Sequence, residues 1–352
     1  MHICERSWQG LGQETHAMRT ILCNAPFELT QVQREAPTPG PGEVLIRIHR
    51  VGLCGTDYHI FAGRHPFLQY PRVMGHELGG EVVALGEGTT RALGQTVAIN
   101  PYLACGHCVA CRKGKPNACV NIRVLGVHSD GGMADLLVVP ESAVFDAEGL
   151  SVDQAAMIEF LAIGAHAVSR VPKDGEGRML VVGAGPIGIA SALFARLDGF
   201  DVTLVDQRAQ RLAFARDQLG LDGEVADEGL AERLSARTDG DGFDVVIDAT
   251  GSLPAMRRSL DFVGHGGALL LVGVAPGDLS FADPEFHKRE AVLIASRNAL
   301  AKDFQRVIAA IRSGDVPTGK LHTHSVDADD LPQCLPALIE GADHVLKAIV
   351  AF

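Results

Sequence analysis

The chain lacks any long uninterrupted apolar run: its longest apolar stretch, Met179–Ala195, is broken by Gly183, Gly185, Pro186 and Gly188. That is too short and too interrupted to span a bilayer, so no membrane partner is expected. Basic charge is also in short supply, with 31 Lys and Arg against 43 Asp and Glu and a formal net charge of −12. Binding a phosphate backbone requires clustered cations, and here they are dispersed, so a nucleic-acid partner is excluded and the acidic surplus reads as a solvated, solubilising surface. The opening residues, MHICERSWQGLGQETHA, lack the apolar core and small-residue cleavage site of a secretory signal. A cytoplasmic location follows as an expectation, with residues 1–17 as an extension before the first β-like run at Met18. Internal repeats and low-complexity linkers are missing as well.

What is present suits two ordinary globular domains: 352 residues, 47% hydrophobic and 21% charged, are enough for two cores. From Met18 to about Pro140, short β-like runs such as Val44–Val51, Glu81–Leu85 and Leu136–Val139 alternate with glycine and proline punctuation. After Leu150 the texture changes. Met179–Val182, Val202–Val205, Val245–Ile247, Ala268–Val272 and Val292–Ala295 are strand-like with helical stretches between them, the pattern of a doubly wound parallel sheet. Phe304, Val307, Ile308 and Ile311 follow the i, i+3, i+4, i+7 rule and predict a helix. The tail, Val345–Val350, is strand-like again and is expected to return to the β-rich half.

Cys105, Cys108, Cys111 and Cys119 fall at gaps of two, two and seven, which lets one short loop surround a tetrahedral zinc with four thiolates. Disulfides are the alternative, disfavoured by the absence of a secretory signal. Such a metal has no open position, so it holds a loop and does no chemistry. Cys4, Cys23 and Cys334 have no partner spacing and read as reduced thiols, with Cys23 and Cys334 candidates for burial.

Val181-Val182 runs directly into Gly183-Ala184-Gly185-Pro186-Ile187-Gly188 and then a helix. This strand, tight turn and helix arrangement lets backbone amides and a helix N-terminus meet a dinucleotide pyrophosphate. A glycine-rich turn alone is a weak sign. Asp206, closing the next strand-like run, is placed to bind ribose hydroxyls, and it favours NAD over NADP because a 2′-phosphate would meet a like charge. Arg208 and Arg211 read as solvated positions on the helix that follows.

Cys54 in GLCGTDYH and His76-Glu77 in GHELGGEVV sit in glycine-flanked loops; with Glu159 in MIEFLAIGAHA they supply thiolate, imidazole and carboxylate. Three such ligands make a zinc site with a fourth position open to substrate, where the metal would act as a Lewis acid on a hydroxyl. Thr56 and His59, two and five residues after Cys54, are candidates for a relay that carries the hydroxyl proton away.

On these motifs the chain from Met18 to Phe352 resembles the zinc-dependent medium-chain dehydrogenases/reductases, the alcohol and polyol dehydrogenases. The resemblance implies an α/β protein: a GroES-like β-rich catalytic domain, residues 18–152 and 297–352, plus a Rossmann doubly wound parallel sheet, residues 153–296, that binds NAD. It implies that Cys54, His76 and Glu159 hold the catalytic zinc, with Glu77 exchanging as ligand or standing behind it. It further implies that Thr56 and His59 form the relay, and that the four-cysteine loop holds a second, structural zinc. Many relatives carry proline after the glutamate at position 159, where this chain has Phe160. PRVMGHELGGEVV, VLGVHSDGGMADLLVVP and FADPEFHKREAVLIASRNA look like bacterial sugar-acid dehydrogenases that oxidise carbon 5 of L-gulonate or L-galactonate. Arg297 and Asn298 then fall at the domain junction, where a guanidinium would clamp a substrate carboxylate or brace the junction or the cofactor. Polyol (sorbitol-like) or threonine oxidation is the alternative within enzymes, and NAD binding without turnover the alternative outside them. A homodimer or homotetramer is expected.

Overall fold

The computed structural model describes residues 17–65, 68–172, 177–341 and 345–352. Ala17, the last residue of the expected extension, already opens a strand: Ala17–Ala25 pairs with Glu28–Glu35 in a hairpin, Ala17 facing Glu35. The rest of that extension, with Cys4, lies outside the described residues.

Among the described residues the β-rich half is built on a seven-stranded sheet. Its spatial order is Val144–Asp146, Thr96–Ile99, Glu77–Leu85, Glu43–Gly52, Lys347–Ala351 and His322–Asp327, with Leu136–Pro140 also paired to Glu43–Gly52. Side chains alternate faces along a strand, and Val44, Ile46 and Ile48 put one face of the central strand into the core with Val82, Val97, Val139 and Val350. The tail returns as its pattern predicts: Ile349 faces Gly52 in antiparallel pairing, while the same strand runs parallel to His322–Asp327.

The second sheet is parallel throughout, in the order Gly223–Val225, Asp201–Asp206, Arg178–Val182, Phe243–Asp248, Val263–Leu271, Val292–Ala295. Numbered along the chain this is 3-2-1-4-5-6, with the crevice at the carboxyl end of its first strand. Met179, Leu180 and Val181 are fully buried because helices cover both faces. Helix Ala301–Arg312 forms where predicted, and Phe304, Val307, Ile308 and Ile311 all enter the core.

Helix Ile158–Ser169 packs against both Pro186–Leu197 and Ala301–Arg312. The approach needs Gly164, where a Cβ would sit 2.6 Å from the Ala190 backbone. A capping box starts the short helix before it, Gln154 N donating to Ser151 Oγ at 3.2 Å and Ser151 N to Gln154 Oε1 at 2.9 Å. No described helix is long and apolar enough to cross a membrane.

Candidate active site

Strand Glu43–Gly52 ends two residues before Cys54, the N-cap of helix Gly55–Phe61, and its neighbour begins at Glu77, so sheet pairing brings the two motifs together. Gly52 faces Glu77 in that pairing, and a Cβ there would lie 2.2 Å from Glu77 Oε2. Ligand atoms of Cys54, His76 and Glu77 lie within 4.8 Å of one another, with His76 and Glu77 buried. Fully buried Asp57 stands behind them. It accepts from Cys54 N at 3.0 Å and Gly75 N at 3.3 Å, and its Oδ1 is 3.8 Å from His76 Nδ1.

Glu159 lies outside that three-atom set, and its Oε1 accepts from the Tyr102 hydroxyl. Glu77 is instead engaged by a residue that sequence reasoning missed. Lys347, on the returning strand and 1% exposed, donates to both Glu77 oxygens at 2.7 Å and to Leu53 O at 3.1 Å. Its ammonium also lies 4.3 Å from the centre of the Phe160 ring, the residue that replaces proline. Burial pushes the Glu77 carboxyl up to about 7, with Lys347 pulling down and Glu159 pushing further up. Tyr102 is likewise held above its ordinary range by burial and by Glu159. Thiolate, imidazole and two carboxylates crowd one desolvated space, and His76 Nδ1 is buried without a hydrogen-bond partner. A divalent cation with mixed S, N and O preference fits that donor set, and zinc is such a cation.

In the second cluster, Cys105, Cys108, Cys111 and Cys119 converge with sulfur separations of 3.5 Å, 3.7 Å and 3.5 Å. Covalently bonded sulfurs stand about 2.05 Å apart. Edges of this length belong to a tetrahedron with Zn–S bonds of about 2.3 Å. Backbone amides turn inward: Cys105 N donates to Cys119 Sγ at 3.3 Å and Val120 N to Cys108 Sγ at 3.4 Å. Amides of Cys111 and Val120 pull the Cys108 thiol down to about 6. Of the other cysteines, Cys23 is buried, which pushes its thiol up to about 11, and Cys334 is half-buried.

At the glycine-rich turn, Gly183 has φ +101° and Gly188 lies so close to the strand that a Cβ would stand 1.7 Å from Gly183 O. Helix Pro186–Leu197 starts there, with Gly185 as N-cap and Ile187 in its first turn. Asp206 Oδ2 accepts from Ala184 N at 2.7 Å, so the acid leans onto the turn. Arg211 departs from the solvated position expected of it: its side chain is 20% exposed and Nη1 lies 3.9 Å from Asp206 Oδ2. The turn leaves a concave space with no side chain at Gly185, and the long arginine reaches across into it.

Thr56 and His59 share one face of helix Gly55–Phe61, Thr56 half-buried and His59 exposed. Burial and the Arg64 charge hold His59 below its ordinary pKa. His65 is lowered by burial and by the charges of His128, His59 and His76. Arg297 is exposed, and among the described residues its guanidinium forms no ion pair. Its carbonyl accepts from Asn117 Nδ2 at 2.9 Å, while Asn298 Nδ2 donates to Asn117 O at 2.9 Å with φ +52°. Asn117 Nδ2 also lies 3.1 Å from His166 Nε2, whose Nδ1 is 2.8 Å from Asp303 Oδ2. The four-cysteine lobe is thereby fastened to the junction that carries Arg297. A buried Asn two residues before the last cysteine gives no spacing signal of its own.

Two family models match the chain, the alcohol dehydrogenase GroES-like domain over residues 40–149 and zinc-binding dehydrogenase over 186–313. L-galactonate-5-dehydrogenase of Escherichia coli K12 is 40% identical over 95% of this chain and 99% of its own length. L-threonine 3-dehydrogenase of Saccharopolyspora erythraea is 36% identical over 73% of this chain and 77% of its own. Among solved structures, an alcohol dehydrogenase of E. coli CFT073 complexed with NADH superposes with a TM-score of 0.89 at 31% identity, covering 96% of this chain and 99% of that one.

Proposed function

We propose, from the premise that this chain belongs to the zinc-dependent alcohol dehydrogenases of the medium-chain dehydrogenase/reductase family, that it oxidises a secondary alcohol of a sugar acid, L-galactonate or L-gulonate at carbon 5, with NAD. Cys54, His76 and a carboxylate, Glu159 or Glu77, would hold the zinc, which would supply Lewis acidity toward the substrate hydroxyl. A nicotinamide ring supplies the hydride acceptor. The alcohol gives up one proton and one hydride and becomes a ketone.

This chain's residues do the rest. Thr56 Oγ1 takes the alcohol proton and the His59 ring passes it to water; the neutral ring can accept, since its pKa lies below the ordinary value. Gly183, Gly185, Pro186, Ile187 and Gly188 form the pyrophosphate cradle, and Asp206 meets the ribose hydroxyls. Lys347 holds Glu77 so that its charge is balanced behind the cluster. Residues 18–152 with 297–352 are assigned to the catalytic domain and 153–296 to the NAD domain. A reducing compartment such as the cytoplasm keeps four thiols available as ligands. Strand Val292–Ala295 is a sheet edge exposing Val292 and Leu293, and a second copy added there would cover both in a homo-oligomer.

The observation that supports the substrate reading is the exposed Arg297 guanidinium, which has no acidic partner among the described residues. Threonine oxidation is the second reading, favoured by the 36% identical relative. A charged hydrogen bond is worth about 1.5 to 3 kcal/mol, roughly 10- to 150-fold between an acid and its neutral polyol. A panel of hexonates, hexitols, threonine and simple secondary alcohols, followed by NAD reduction, tests this. L-galactonate or L-gulonate should lead; equal turnover of acid and polyol would remove the sugar-acid reading and leave the zinc chemistry standing.

A further inference from the structure

The four-cysteine lobe stands on a two-stranded ribbon. Tyr102–Leu103, shortly before Cys105, pairs antiparallel with Arg123–Val124, shortly after Cys119, and Tyr102 faces Val124. Closing the loop between Cys105 and Cys119 therefore also holds the ribbon closed. Asn100 aligns the first of the two strands, Tyr102 N donating to Asn100 Oδ1 at 3.0 Å.

From this base the lobe grips helix Ile158–Ser169 at two points. The Tyr102 hydroxyl donates to Glu159 Oε1 in the first turn of the helix. Asn117, buried in the lobe between Cys111 and Cys119, holds His166, its Nδ2 lying 3.1 Å from His166 Nε2. Residues seven apart share one face of a helix, so both contacts reach the helix from the same side. The hydrogen bonds have one direction: Arg297 O can only accept, and it takes one Asn117 N–H at 2.9 Å. The other N–H meets His166 Nε2, which accepts, and His166 Nδ1–H donates to Asp303 Oδ2 at 2.8 Å.

The first turn of that helix adjoins the cluster of Cys54, His76 and Glu77. Phe160, next to Glu159, has its ring centre 4.3 Å from Lys347 Nζ, and that ammonium is 2.7 Å from both Glu77 oxygens. Glu159 is buried, and among the described residues its carboxylate accepts a hydrogen bond from Tyr102 alone. Lys347 thus occupies both oxygens of one carboxylate, whereas Tyr102 occupies one oxygen of the other.

We propose that Tyr102 is a positioning residue whose hydroxyl holds Glu159 Oε1 and leaves Oε2 to the metal that Cys54 and His76 would bind, an inference that rests on reading that centre as a zinc site. The closed lobe then has a task beyond its own loop: through Tyr102 it fixes a carboxylate of the open centre. A phenol suits the task, because it stays protonated at neutral pH and donates from the end of a rigid ring. Removing such an outer donor from a ligating group weakens the metal by about 10- to 100-fold.

Tyr102→Phe keeps the ring and removes only the hydroxyl. Zinc affinity of the open centre is measured by chelator competition in the unchanged protein, in Tyr102→Phe, in Glu159→Gln and in the double variant, while elemental analysis counts the zinc of the four-cysteine lobe. Tyr102→Phe should weaken zinc at the open centre roughly tenfold or more with the lobe still loaded, and Glu159→Gln should weaken it at least as much. In the Glu159→Gln background, Tyr102→Phe should change the affinity by less than about twofold. An affinity unchanged or tightened in Tyr102→Phe overturns the proposal. So does an equal loss in both backgrounds, which makes Tyr102 a support of the lobe only, and so does undiminished affinity in Glu159→Gln. An unchanged protein that holds zinc in its lobe alone sinks the reading of the open centre, and this proposal with it.

Discussion

Replacing Lys347 by Met removes the only cation that touches the Glu77 carboxylate among the described residues, and the cost can be worked from the contacts. Lys347 is 1% exposed and Glu77 fully buried, with the ammonium 2.7 Å from both oxygens. Breaking a buried pair by deleting one partner costs about 3 to 5 kcal/mol, because the other charge stays desolvated. The Glu77 carboxyl is already pushed up to about 7, so a proton can replace the lysine near neutral pH and the cost sits near the lower figure, about 3 kcal/mol. With about 2.1 cal/mol/K of unfolding entropy per residue over 352 residues, that is a loss of about 4 °C in melting midpoint. Glu77→Gln alone leaves an ammonium without its counter-charge. The double variant removes both charges and should recover much of the loss, giving a coupling of about 2 kcal/mol. The assay is urea unfolding of all four proteins at matched zinc content. Single losses that add to within about 0.5 kcal/mol would refute the assignment of Lys347 as the partner that makes a buried Glu77 tolerable.

Elemental analysis should find two zinc ions per chain, and mild chelation should strip the open site first, with activity; Cys54→Ser should abolish turnover in a folded protein, and Cys105→Ser should chiefly loosen its lobe. Retained activity with one zinc or none contradicts that scheme. NAD should exceed NADP by at least ~10-fold in kcat/KM, about 1.4 kcal/mol, and Asp206→Ala should narrow the gap by removing the carboxylate beside Arg211. Preference for NADP in the unchanged enzyme would mean that Arg211 binds the 2′-phosphate. His59→Ala should slow alcohol oxidation most near neutral pH, where the ring is unprotonated and hydroxide is still scarce, and respond to added buffer. Because burial and Arg64 hold His59 below its ordinary value, the acid limb of the unchanged enzyme should lie below about pH 6.5, where the ring takes up a proton and can no longer accept one. A pH-rate profile unaltered by the substitution would exclude the relay.

The site was legible where its chemistry is written within a dozen or so residues. Four cysteines in one loop, and glycines between a strand and a helix, carry their meaning in their spacing, and the alternating texture after Leu150 gave the parallel sheet. What escaped was chemistry assembled by long-range pairing. Lys347 meets Glu77 across 270 positions, and Tyr102 meets Glu159 across 57. One signal was available: a lysine in the otherwise apolar LKAIVAF, a strand buried on both faces, needs an acidic partner somewhere. Asn117 gave less, since a lone asparagine carries no spacing that says what it holds. Arg211 was misread because a helix position says where a side chain starts and not how far it reaches.

The strand that brings Lys347 home also sets when the centre can exist. Three of the residues that converge on it, Cys54, His76 and Glu77, lie between positions 54 and 77, and the cation that neutralises Glu77 follows 270 positions after it. Without that strand the acid has no counter-charge and Arg50–Gly52 loses a pairing partner. The centre is thus assembled only when segments 270 positions apart meet, a contact of high sequence separation.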